Sequence, residues 1–249
     1  QLTSGLGLLV GVSRDHYAIA NHQQHHMFFR NGWWIFYKDE TDYIQAAYMP
    51  DDASITYRVI ASHVPISRGF SVIYEQNNLY LVYTDSNDMN LYLRKGSFET
   101  DTLELAPPVT VVETGKSFAT QYPGVAVDQT GTPWIVYRSY HTGEVFKIWI
   151  TTPKEKSLAT WHDPTLVSSE FEDAHSGFST SSAVVVFDDK LVIISSGNVD
   201  DPASRFLFQY ESDSIFPPIW TRSIVTDKFG GIHDYVVTAS GNKLHLIYI

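Results

Sequence analysis

The chain has no cysteine. That removes a disulfide framework, a zinc-thiolate centre and a thiol nucleophile together. It is poor in basic residues, 17 Lys and Arg against 28 Asp and Glu, which leaves a net charge of −11. No cluster of Lys or Arg is present to displace counterions from phosphates, so nucleic acid is excluded as a partner. No run of eighteen apolar residues occurs, so no helical membrane span is expected. The apolar patch near the start (Leu6, Leu8, Leu9, Val10) lacks a basic flank and reads as a strand, not a signal peptide. Position 1 is Gln, which reads as a processed or trimmed chain and is compatible with secretion.

What is abundant is aromatic. Phe, Trp and Tyr make up 14% of the 249 residues and charged residues only 18%, which excludes disorder and describes a β-rich chain with ample core. The clearest unit runs from Phe118 to Trp161. It holds a Tyr122-Pro123-Gly124 turn, an alternating run to Asp128, a Gln129-Thr130-Gly131 link, the strand Pro133 to Arg138, the strand Val145 to Ile150, and a last strand from Trp161 to Val167. Four short strands joined by turns make one propeller blade.

Its second strand recurs as Trp33 to Tyr37, Leu79 to Tyr83, Lys190 to Ile194 and Leu244 to Tyr248. The terminal tyrosines Tyr37, Tyr83, Tyr137 and Tyr248 are separated by 46, 54 and 111 residues, the last being two steps. A strand repeat of about 50 residues is the mark of a blade array. Each second strand follows a turn carrying Asn, Asp or Gly, including Asn31-Gly32, Gln76-Asn77 and Asp188-Asp189, residues that tolerate the left-handed backbone of tight hairpins. The 14 residues between Arg94 and Val109, with Pro107 and Pro108, are expected to form a long edge loop.

The predicted fold is all-β: a single propeller of four-stranded antiparallel blades over residues 1–249. Five blades are expected, the last completed jointly by the two ends of the chain, with an incomplete six-bladed ring as the alternative.

Between third and fourth strands, Tyr48 to Ala53, Thr151 to Trp161 and Gln209 to Trp220 resemble worn Asp-boxes, the Ser-x-Asp-x-Gly-x-x-Trp turn of sialidase-like propellers. With Tyr122 to Arg138, they make the chain similar to BNR-repeat proteins of the sialidase superfamily over nearly its whole length. The resemblance implies the propeller fold and an extracellular or cell-surface setting. It assigns no reaction, since the box is a structural turn.

In such a ring the loops that lead into first strands and leave second strands converge on one mouth of the channel, a natural binding site. The binding residues expected there are His25, His26, Arg68, Tyr122, Arg138, Tyr140, His175 and His233, with Lys38 and Asp39 beside them. His26, His175 and His233 are candidate ligands for a central metal ion; no other cofactor is expected. Glycoside hydrolysis needs two carboxyl groups, for which Asp39, Asp85, Asp88, Asp173 and Asp200 are candidates. Asp85, Asp200, Tyr122 and His175 lead the catalytic candidates, the tyrosine and histidine serving in a lyase. A sialidase clamp needs three arginines, and the mouth offers Arg68 and Arg138. Tyr122, Tyr140 and Trp33 or Trp34 are candidate stacking platforms for sugar rings. The leading expectation is recognition of a glycan or surface partner at the mouth. A glycoside hydrolase or polysaccharide lyase is the first alternative, and an architectural module of a surface or viral assembly the second.

Overall fold

The computed structural model describes residues 26–50, 56–61, 69–99, 102–114, 119–140, 146–171, 182–198, 205–213, 216–226, 235–240 and 243–248. Every regular element among them is a strand, and the strands form five consecutive antiparallel sheets, the blades of a propeller.

The first blade is β1 (Met27–Phe29), β2 (Trp33–Lys38), β3 (Ile44–Met49) and β4 (Thr56–Ala61). The second is β5 (Phe70–Glu75), β6 (Asn78–Thr84), β7 (Leu91–Glu99), β8 (Thr102–Leu105) and β9 (Val109–Val112). The third is β10 (Ala119–Val127), β11 (Pro133–Tyr140), β12 (Phe146–Thr151) and β13 (Thr165–Phe171). The fourth is β14 (Ser182–Phe187), β15 (Lys190–Asn198), β16 (Arg205–Asp213) and β17 (Thr221–Thr226), and the fifth shows β18 (Tyr235–Ser240) and β19 (Lys243–Tyr248). Strands β5, β10, β14 and β18 lie side by side around the channel, and β1 adjoins β5. The closing strand expected from the chain's first residues falls outside the described residues.

The two-residue period of each second strand divides its side chains between two cores. Trp34 and Phe36 face Phe70, Val72 and Leu81 of the next blade. Tyr80 and Val82 then face Val125, Ile135 and Tyr137, and Trp134 and Val136 face Val184 and Ile193. The last core sets Val192 and Ile194 against Val237 and Leu244. Blade-to-blade burial, worth about 1.5–3 kcal/mol for each fully buried aliphatic or aromatic side chain, thus holds the ring.

Gly124 permits the closest of these approaches. A Cβ there would lie 3.0 Å from Val136 Cγ1 and 3.3 Å from the Ser182 carbonyl of the neighbouring blade.

The turns behave as their residues dictate. Gln76 and Asn77 have φ of 50° and 63°, and Asp188 and Asp189 have 51° and 60°, the left-handed pair of a tight hairpin. In the third blade Asp128 builds the equivalent link, its Oδ1 accepting from the Thr130 and Thr132 amides and its Oδ2 from Trp134 Nε1.

Three local expectations are corrected. Tyr122-Pro123-Gly124 is a bulge inside β10, since pairing with β11 shifts between Gln121 and Gly124. The segment after Arg94 is no loop: β7 runs on to Glu99 and folds back as β8, while β9 pairs the first half of β7. Phe98, Leu103 and Leu105 drive this by packing against the first interblade core. Trp161 does not start the last strand. It bridges Pro153 and donates from Nε1 to the Leu158 carbonyl at 3.0 Å, closing the turn before β13. Leu158, three residues before that tryptophan, has a left-handed backbone, with φ of 63°.

Candidate functional site

Each first strand starts, and each second strand ends, at the same end of the channel, because the two are antiparallel neighbours. His26, Gln121, Tyr122 and Ser182 arrive at this mouth with β1, β10 and β14. Lys38, Thr84, Arg138 and Ser195 arrive with β2, β6, β11 and β15, and the loops beyond carry Asp39, Asp85 and Asp88.

Two cations among the described residues are buried here. Arg138 is 6% exposed and Lys38 3%. Both continue the row of their strand that faces the next blade, Arg138 after Trp134 and Val136, Lys38 after Trp34 and Phe36. The Arg138 guanidinium lies 5.6 Å over the Tyr122 ring. Burial lowers its pKa to about 9, with Tyr122 opposing the shift, so it remains cationic at neutral pH. Lys38 Nζ meets Asp42 Oδ1 at 3.7 Å. The His26 ring packs edge-on against Phe70 at 4.6 Å between the first two blades.

Tyr122 is placed by the bulge. Its φ of 49° is the left-handed region that costs a non-glycine residue about 1–2 kcal/mol, and the extra residue turns its ring onto Arg138. Bulges next to sites re-aim side chains in this way.

Small hydroxyls pave the wall beneath. Thr84 and Thr120 share a hydrogen bond of 2.9 Å between their hydroxyls across the second and third blades. Ser182 donates to Ser195 at 3.1 Å, and Ser139 accepts from Trp149 Nε1 at 2.7 Å. Ser71 Oγ is buried with no hydrogen-bond partner among the described residues. These residues escaped sequence reading because Ser and Thr at strand ends look like ordinary loop chemistry. Their one signal is position, directly after the aromatic row.

The described carboxylates are held by their own loops. Asp39 Oδ1 accepts from the Thr41 amide and hydroxyl and from the Tyr43 amide, and Oδ2 accepts from Gln45 Nε2 at 2.6 Å. Burial acts to raise its pKa, but these hydrogen bonds together outweigh it and hold the carboxyl below its ordinary value. Asp85 Oδ1 accepts from the Asn87 amide and side chain. Asp88 takes the Asn90 amide and the Tyr92 hydroxyl, the latter at 2.5 Å. That bond, with burial, raises the Tyr92 pKa.

The described mouth therefore brings together His26, Lys38, Asp39, Asp85, Asp88, Tyr122 and Arg138. His25, Arg68, Asp173, His175, Asp200 and His233 lie outside the described residues, as does the Tyr140 side chain. No group of three His, Asp or Glu side chains suited to a metal occurs among the described residues. Trp33 and Trp34 start β2 and so stand at the opposite end of the channel, where Trp34 stacks on Tyr48 at 4.6 Å. Arg30 and Arg94 also point elsewhere: Arg30 Nε donates to the Tyr74 hydroxyl, and Arg94 reaches the Ala106 and Ile60 carbonyls.

No protein-family model matches the chain, and no curated protein matches its sequence. Its structure is similar to an exo-1,5-α-L-arabinanase from a bovine ruminal metagenomic library, at 13% identity over 90% of this chain and 87% of that one, with a TM-score of 0.52. A GH43 endo-arabinanase from Bacillus licheniformis gives 12% identity, 96% coverage of both chains and a TM-score of 0.51. An endo-1,4-β-xylanase from Bacteroides thetaiotaomicron gives 12% identity, 92% and 84% coverage, and a TM-score of 0.55.

The likeness is one of fold. It supports the propeller and gives no support to the sialidase identity that the worn Asp-boxes suggested. No helix among the described residues is long and apolar enough to cross a membrane.

Proposed function

We propose that this chain is a carbohydrate-directed propeller acting as a glycoside hydrolase at the mouth formed by His26, Lys38, Asp39, Asp85, Tyr122 and Arg138. The observation that carries the reading is the Arg138–Tyr122 pair: a buried guanidinium and an aromatic ring held out of regular β geometry at a channel mouth. Burying a cation costs several kcal/mol (about that order) unless interactions offset it, and perturbed ionisable groups gather at functional sites. The arabinanase and xylanase activities of proteins with a similar fold favour hydrolysis of a pentose polymer over the glycan-binding reading.

In this reading Tyr122 stacks on a sugar ring and the Arg138 fork donates to its oxygens. Asp39, kept ionised by its hydrogen bonds, suits the base or the charge that stabilises an oxocarbenium-like transition state. The proton donor is one of the other candidate carboxyls, Asp85, Asp88, Asp173 or Asp200.

A second reading, recognition without cleavage, is favoured by one observation: Asp39, Asp85 and Asp88 are all engaged in turn hydrogen bonds. Chromatography of linear arabinan and xylan after incubation with the chain separates the two. New oligosaccharides support hydrolysis; retention of the polymer in affinity electrophoresis without new products supports recognition alone. Neither products nor retention would refute both.

A further inference from the structure

A second cavity, of about 180 Å³, opens between the second and third blades near the hairpin turns, at the end of the channel opposite the mouth. It is smaller than the roughly 300–1,000 Å³ of drug-sized pockets, which suits a ligand of one ring. Tyr80, Lys95, Thr132 and Lys156 line it, and no Asp or Glu is among its described lining residues. In a chain of net charge −11, a recess lined by two lysines and by no acidic side chain departs from the surface around it, although the Asp128 carboxylate behind it adds to the burial that raises the Tyr80 pKa.

The walls are fixed. The Gln76 amide donates to the Asp128 and Gln129 carbonyls of the next blade at 3.3 and 3.2 Å, and the Tyr80 hydroxyl donates to the Gly131 carbonyl at 3.1 Å. Gly131, at φ of 82°, lets the Gln76 side chain approach so closely that a Cβ would sit 3.1 Å from Oε1. Lys95, directly opposite Tyr80 on the neighbouring strand, holds its ammonium 5.8 Å over the Tyr80 ring. The floor is the Leu158 turn. Lys95 is held in place over the Tyr80 ring, which lowers the entropy lost on binding.

We infer that this cavity binds one anionic sugar residue, its carboxylate or sulfate between Lys95 and Lys156 and its ring against the Thr132 side. The anionic group follows from the two lysines; the sugar rests on the carbohydrate reading of the chain.

The full chain is titrated calorimetrically with glucuronate, galactose 6-sulfate, glucose and inorganic sulfate. Saturable binding of at least one charged sugar is expected, tighter than that of glucose or inorganic sulfate. Its affinity should fall by about tenfold or more in Lys95→Gln/Lys156→Gln and weaken with added salt. Melting temperature checks that the variant folds, and Tyr122→Ala should leave this binding unchanged. Sulfate or glucose binding as tightly as the charged sugars would overturn the inference. So would absence of binding, or indifference to both lysine substitutions. Each readout is independent of hydrolysis, so an inactive mouth leaves this titration decisive for the recess, and failure of the titration leaves the mouth assay untouched.

Discussion

Arg138 and Tyr122 meet only because β10 carries one residue too many. The guanidinium lies 5.6 Å over the ring, and the bulge that creates the contact holds Tyr122 at φ of 49°. Tyr122→Gly should therefore unfold at a higher denaturant concentration than Tyr122→Ala, by about 1 kcal/mol, because glycine adopts the left-handed backbone without strain. Both should weaken glycan binding to a similar degree. A more stable alanine variant would remove the strain argument.

Arg138→Met tests function against stability. Methionine keeps a side chain of similar length and removes the desolvation cost that burial imposes on the guanidinium. The variant should melt at the same or a higher temperature than the parent while binding or hydrolysis falls by about tenfold or more. A large loss of stability would make Arg138 a structural residue.

The Leu158 turn makes an inverted prediction. Leucine there is buried, 7% exposed, and Leu158→Ala should cost about 2–5 kcal/mol. Leu158→Gly removes still more side chain, yet relieves the left-handed backbone and should be the less damaging change by about 1 kcal/mol. Equilibrium urea unfolding of the pair decides it.

The fold was legible because its two strongest signals are local: a two-residue alternation ending in tyrosine, and Asn, Asp or Gly at each tight turn. Gln76-Asn77 and Asp188-Asp189 adopt the left-handed pair that their composition implies. The β7–β8 hairpin was hidden because Pro107 and Pro108 mark a break. What makes Phe98 and Leu103 a strand pair is burial against Trp34, contributed by another blade. The convergence of residues on one mouth was legible, and their contacts were not. Strand direction put Arg138 and Tyr122 at one mouth, but the bulge that joins them depends on pairing with β11, and the burial of Lys38 on the neighbouring blade. Trp33 and Trp34 were misplaced as platforms because aromatic content gives no sense of which end of a strand a residue occupies.

Leu103→Ala checks the hairpin directly. Leu103 is buried in the first interblade core, so its truncation should cost about 2–5 kcal/mol, whereas a residue on an edge loop would cost less than about 0.5 kcal/mol.

Acid stability should report Asp128. Burial acts to raise its pKa, but hydrogen bonds from Thr130, Thr132 and Trp134 together lower it below 3.8. A carboxyl with a depressed folded pKa contributes stability above the unfolded value and loses it as pH falls through the folded one. Asp128→Asn should thus be less stable than the parent at pH 7, and the gap should narrow on acidification below about pH 4. A gap independent of pH would show that the charge plays no part.

The central claim is that the mouth holding Arg138 and Tyr122 acts on a glycan. The most direct measurement is release of reducing ends from arabinan and xylan by the parent chain and by folded Arg138→Met, side by side. Release by the parent that falls by about tenfold or more in the variant is the predicted result. Release that is unchanged by the substitution, or a parent chain that neither cleaves nor binds either polymer, would contradict it.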